Sequence, residues 1–131
     1  MAFEARYSKP GYVYIAGSQR KKLIKVGGTE SIDDREKSLF NDSYARAFDW
    51  EILFSVWVDK YGDTEGKIQK LLAPYEISVS YIKDGKYQEA KEIFRCSFTV
   101  AKNALDEVLK DDPPDEDEIY ISPDIKFYEF S

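Results

Sequence analysis

Residues 11–29 read Gly-Tyr-Val-Tyr-Ile-Ala-Gly-Ser-Gln-Arg-Lys-Lys-Leu-Ile-Lys-Val-Gly-Gly-Thr. Two β-rich runs flank a polar bend, Gly17-Ser18-Gln19-Arg20-Lys21, which predicts an antiparallel pair over 11–16 and 22–28. Tyr12 and Tyr14 are two apart, so in a strand both rings leave the same face. Opposite them stands a run with Lys25 that ends in Gly27, Gly28 and Thr29. Glycines let a phosphate approach the backbone, and lysine and threonine supply donors. Tyr12, Tyr14, Lys25, Gly27 and Thr29 therefore read as an anion-binding surface, with Arg20 and Lys22 of the basic bend as further phosphate contacts.

The rest of the chain extends this hairpin into a domain. Ser31 is placed to cap a helix over 32–41, with Asp33 and Asp34 in its first turn. Residues 50–58 form the clearest strand, β-branched and aromatic. A second helix is expected over 63–73, with Ile68, Leu71, Leu72 and Tyr75 at helical spacing and Pro74 at its end. Residues 76–82 alternate as a strand, Asp84-Gly85 is a turn, and 90–96 is ambiguous, with 92–94 extended. Ser97 caps a third helix over 98–109. This order implies an α+β domain with a small antiparallel sheet. The boundaries expected are residues 1–110 for the domain and 111–131 for an acidic linker and aromatic C-terminal segment. Ile119–Phe130 regains enough apolar residues to add an edge strand to the body.

Composition narrows the chemistry. The chain has 131 residues, no histidine and one cysteine, Cys96. That excludes an internal disulfide, a His-based triad and a zinc site of His and Cys. A metal would be held by carboxylates and be hard, Mg²⁺ or Mn²⁺. No apolar run approaches a membrane span, the start of the chain carries no signal-peptide core, and a cytoplasmic setting is expected. The net charge of −6 is uneven. Residues 111–131 hold eight acids and one base, a charge of −7, which leaves +1 for residues 1–110.

Two charges fall on apolar helix faces. Arg35 lies three after Ile32 and four before Leu39. Glu65 lies three before Ile68 and seven before Leu72. Buried charges are costly unless paired or ligated. One reading pairs Arg35 with Glu65; the other gives both a functional site.

The pattern resembles the GIY-YIG nuclease superfamily, in its phage-type branch often fused to anti-repressor domains. Val13-Tyr14 stands at that family's first Ile-Tyr, and Lys25-Val26-Gly27 at its Tyr-Ile-Gly. Arg35 and Glu65 match its arginine and metal-binding glutamate in type, order and spacing. The resemblance covers residues 10–109. It implies a three-stranded sheet flanked by helices, and a metal-dependent endonuclease acting on nucleic acid, DNA ahead of RNA, in a bacterial or phage-infected cell. The implied catalytic residues are Tyr12, Tyr14, Lys25, Arg35 and Glu65, with Glu65 on the metal. A phenol, with a pKa of about 10, is a poor base at neutral pH and needs a nearby cation. Two departures stand out: Lys25 replaces the motif's second tyrosine, and Gln69 stands where the branch has a histidine. Gln69 can still hydrogen-bond a phosphate. These departures leave an alternative, a catalytically weak or inactive binding module acting on a protein partner through its C-terminal segment.

Overall fold

A computed structural model describes residues 9–41 and 43–130; the polar start of the chain, residues 1–8, lies outside them. Six strands form one antiparallel sheet: β1 Gly11–Ser18, β2 Leu23–Thr29, β3 Glu51–Val58, β4 Glu76–Lys83, β5 Lys86–Phe94 and β6 Ile119–Ile121. Their spatial order is β4-β5-β2-β1-β3-β6. Three α-helices accompany it among the described residues: α1 Ile32–Asn41, α2 Tyr61–Leu71 and α3 Phe98–Leu109.

The sheet is the middle of three layers. One face carries Val13, Ile15, Ile24, Val26 and Phe54, which pack on Ile68 and Leu72 of α2 and Phe98, Ala101 and Leu105 of α3. The other carries Tyr14, Ala16, Leu23, Ile52 and Ile93, covered by Leu39 of α1 and by Ala45, Ala47 and Trp50 from the connection that follows. The period of two along β1 sends Val13 to one core and Tyr14 to the other.

The three-stranded sheet expected from the sequence is corrected to six strands. Residues 76–94 form a hairpin around Asp84 and Gly85, both in the left-handed region at φ 53° and 76°, the backbone of a tight two-residue hairpin turn. This hairpin joins the sheet only where Ile24 and Lys25 pair with Phe94 and Ile93. So short a seam, next to a β4 whose residues are mostly exposed, leaves little hydrophobic pattern to read. The sixth strand is the aromatic C-terminal segment, which pairs Ile119–Ile121 with Phe54–Val56. The second helix starts at Tyr61, ahead of the expected residue 63. Leu71 and Tyr75 stay exposed because Pro74 lies in a 3-10 turn that redirects the chain.

Candidate functional site

β2 continues past its seam with β5, so Val26 to Thr29 have no strand partner on that side among the described residues, and Gly28 and Thr29 border open space. A cleft of about 560 Å³ forms there, lined by Tyr14, Lys25, Gly28, Arg35, Tyr61 and Glu92 among others. Its centre is the Lys25 ammonium. Nζ donates to the Tyr14 hydroxyl at 2.9 Å and meets a Glu92 carboxylate oxygen at 3.2 Å. The Tyr14 and Tyr44 rings each stand 5.2 Å from it, within cation–π reach. Burial alone would lower the Lys25 pKa, but the Tyr14 hydroxyl, the Glu92 carboxylate and the Tyr44 hydroxyl outweigh it and hold the pKa above 10.5. Lys25 is thus a fixed cation at neutral pH and cannot serve as a base.

Gly27 makes this arrangement fit. A Cβ there would stand 2.5 Å from the Tyr14 hydroxyl and 2.8 Å from Lys25 Nζ. Gly28 does the same on the opposite face: its Cβ would stand 2.5 Å from the Tyr61 ring and 3.2 Å from the Glu65 carboxyl carbon. The two glycines are neighbours in a strand, so they open opposite faces. Tyr14 and Lys25 occupy one opening and Tyr61 and Glu65 the other. Glu65 is 2% exposed and lies behind Gly28, which lines the cleft.

Glu92 carried no signal in the sequence. One residue of β4, Ser78, opposes two of β5, Lys91 and Glu92, because the register slips between Ile77↔Ile93 and Val79↔Ala90. This is a β-bulge. Glu92 sits in it at φ 65°, a conformation that disfavours side chains. Tyr44 fastens the bulge: its hydroxyl donates to the Lys91 carbonyl at 2.6 Å and accepts from the Lys91 N–H at 3.1 Å. A strained glutamate facing a buried lysine, in a bulge that Tyr44 anchors twice through the Lys91 backbone, is a feature only three dimensions display.

The other expected site residues fall in three places. Arg35, half-buried in the first turns of α1, lines the cleft. It makes no ion pair with Glu65 among the described residues. Thr29 lines the cleft too, with its hydroxyl engaged by the backbone of Ser31. Gln69 donates to the Val26 carbonyl at 2.9 Å, a backbone role at the open edge of β2. Tyr12 shares the face of Tyr14 but stacks edge-on against Trp57, with centroids 5.0 Å apart, in a neighbouring groove. Arg20 and Lys22 lie at the far end of the hairpin, where Asp49 accepts from Ser18 Oγ and the Arg20 N–H.

Among the described residues, no group of three or more His, Cys, Asp or Glu is placed to hold a metal. A protein cage is therefore not built. Glu65 buries one carboxylate oxygen, a hard donor of the kind Mg²⁺ takes from one or two carboxylates.

The fold and cleft define a small α+β domain with a six-stranded antiparallel sheet and a cation-centred cleft at the open edge of a glycine-rich hairpin. The chain belongs to the T5orf172 domain family, whose match spans residues 11–110. This is a domain of phage and bacterial proteins, and membership assigns no specific reaction. It corrects the GIY-YIG assignment: the matching family is a different one. The likeness rested on a short hairpin rich in tyrosine and glycine plus two helix charges, too little sequence to separate families. No curated protein and no solved structure matches the chain. No helix among the described residues is long and apolar enough to cross a membrane.

Proposed function

We propose that the cleft hydrolyses phosphodiester bonds of nucleic acid, DNA in the first place, assisted by Mg²⁺ or Mn²⁺. What supports this most is the 2.9 Å contact between Lys25 and the Tyr14 hydroxyl, at the floor of a cleft whose wall carries Arg35. Arg35 is the cation within reach of a bound phosphate. Its planar fork suits two parallel hydrogen bonds to phosphoryl oxygens, and it offsets charge that builds there in the transition state. Tyr14, as a phenolate oxygen, takes the proton that the attacking water gives up and becomes the neutral phenol. The charge on that oxygen before the transfer is offset by the Lys25 ammonium that already holds it. Glu92 keeps Lys25 in place. Glu65 is the residue that would hold the cation, which when bound supplies Lewis-acid stabilisation and a water of lowered pKa. Arg20 and Lys22 extend phosphate contacts along the hairpin.

Supercoiled plasmid tests the reading. Nicking is expected with Mg²⁺ or Mn²⁺ and is expected to stop with chelator. Intact plasmid after prolonged incubation with either metal, at protein in excess over DNA, would remove it.

A further inference from the structure

Beside the cleft, on the α1 side of the sheet, lies a larger groove of about 920 Å³. Its floor is aromatic. Tyr12 pairs with Trp57 across β1 and β3, and Ser55 pairs with Tyr120 across β3 and β6. Since Ser55 and Trp57 are two apart, all four side chains leave one face of the sheet. Trp57 is 36% exposed and Tyr120 48%, so two large rings meet solvent together.

The rim is acidic. Glu30, Asp33 and Glu36 stand on the α1 side, and Asp117 and Glu118 on the turn before β6. Among the described residues, no lysine or arginine lines the groove. Glu36 spends one oxygen on the Ile52 N–H. The other features match a ligand. Ser55 is only 5% exposed, borders the groove, and its hydroxyl makes no hydrogen bond among the described residues. The serine is largely buried, and its hydroxyl is left to water or to a hydrogen-bonding group that enters the groove.

The geometry points to this groove as the docking site for an extended, arginine-rich segment of a protein partner. Arginine is the side chain that suits both surfaces at once. Its guanidinium stacks on tyrosine and tryptophan rings and its fork pairs with carboxylates. Of the five carboxylates, Glu30 has Lys9 at 3.9 Å; the net excess of negative charge still repels a nucleic-acid strand. A single small cation would engage one or two acids and leave the rest of the groove unfilled. Asp117, Glu118 and Tyr120 lie outside residues 11–110, so the C-terminal extension builds this site onto the family's domain. Glu30 and Ser31 line both the groove and the cleft. The docked segment therefore lies at the mouth of the cleft. This inference does not depend on the hydrolytic reading.

Calorimetric titration of the full chain with a short capped peptide of alternating arginine and glycine tests it. Saturable binding with one peptide per chain is expected, with a change in tryptophan fluorescence from Trp57. The double variant Asp117→Asn/Glu118→Gln, at exposed positions, should weaken binding about tenfold. The double variant Asp106→Asn/Glu107→Gln on α3 removes equal charge elsewhere and should change it less than about twofold. Trp57→Ala should lose the fluorescence change and weaken binding. Absent saturation, or equal weakening by both charge variants, overturns the proposal. Displacement of the peptide by equimolar spermine also overturns it, since the groove would then take any polyamine.

Discussion

Lys25 is taken out of water and surrounded by what keeps it charged: a phenol at 2.9 Å, a carboxylate at 3.2 Å and two aromatic faces. Removing one partner of such a buried pair costs about 3–5 kcal/mol, because the groups left behind are desolvated. Lys25→Met, similar in volume and apolar, should therefore lower the melting temperature and, in the variant that remains folded, abolish plasmid nicking. Nicking at the wild-type rate by folded Lys25→Met would leave the lysine a structural role only. Tyr14→Phe keeps the ring and deletes one hydrogen bond to a charged group, costing about 1.5–3 kcal/mol. It should remain folded and lose nicking activity. Arg35→Ala should slow cleavage by roughly 10²–10³-fold with little change in stability, since its guanidinium makes no ion pair among the described residues. Tyr14, Lys25 and Arg35 were legible in the sequence because strand and helix periods fix which face a side chain takes. Glu92 was not. A glutamate in the left-handed region of a bulge has the same letters on either side as one in a regular strand.

The elements carry the site through two close approaches. At Gly28 the backbone of β2 passes so near α2 that a methyl would meet the Tyr61 ring and the Glu65 carboxyl. Gly28→Ala should push α2 outward, lower the melting temperature and suppress any Mn²⁺ binding at Glu65. Full Mn²⁺ affinity in Gly28→Ala would separate Glu65 from the cation. Helix α1 spans the residues expected from Ser31 and the periodicity, and so does α3, whose Ser97 hydroxyl accepts from the Val100 N–H at 3.1 Å. Caps and a 3.6-residue period are local, and local signals survive in one sequence. The β4–β5 hairpin did not place itself, because its attachment to β2 is a contact between residues about seventy positions apart.

For the whole molecule, the C-terminal extension is structural as well as acidic. Tyr128 is buried against the core, and its hydroxyl donates to Glu51 at 2.9 Å. Tyr128→Ala should cost about 3–5 kcal/mol, as for other large buried rings, and deletion of 111–131 more. Deletion also takes the net charge from −6 to +1. Yet residues 112–115 share a cavity with Lys60 and Lys67, away from the basic bend at Arg20 and Lys22. Loss of stability should thus dominate any gain in nucleic-acid affinity, which thermal melting beside titrations at two salt concentrations will separate.

Several protons are also held more tightly in the folded state. Burial raises the Cys96 thiol from 9.0 to about 11 and the Tyr128 phenol from 10.0 to about 12. Lys25 is held above 10.5. Above about pH 9 the folded protein therefore binds more protons than the unfolded chain, and stability falls as pH rises. The decline should begin near pH 9 with Cys96 and continue past pH 10.5 with Lys25. Melting temperatures measured from pH 7 to 11 check this, and Cys96→Ala should flatten the onset. A melting temperature unchanged up to pH 11 would contradict it.

The most direct measurement of the central claim is made on Glu65→Gln, which keeps the side chain's shape and removes its charge. Mn²⁺ binding by electron paramagnetic resonance and plasmid nicking should be followed on the same sample beside wild type. Wild type should bind one Mn²⁺ and nick, while folded Glu65→Gln should do neither. Nicking at the wild-type rate by Glu65→Gln, or Mn²⁺ binding unchanged by the substitution, would contradict the account.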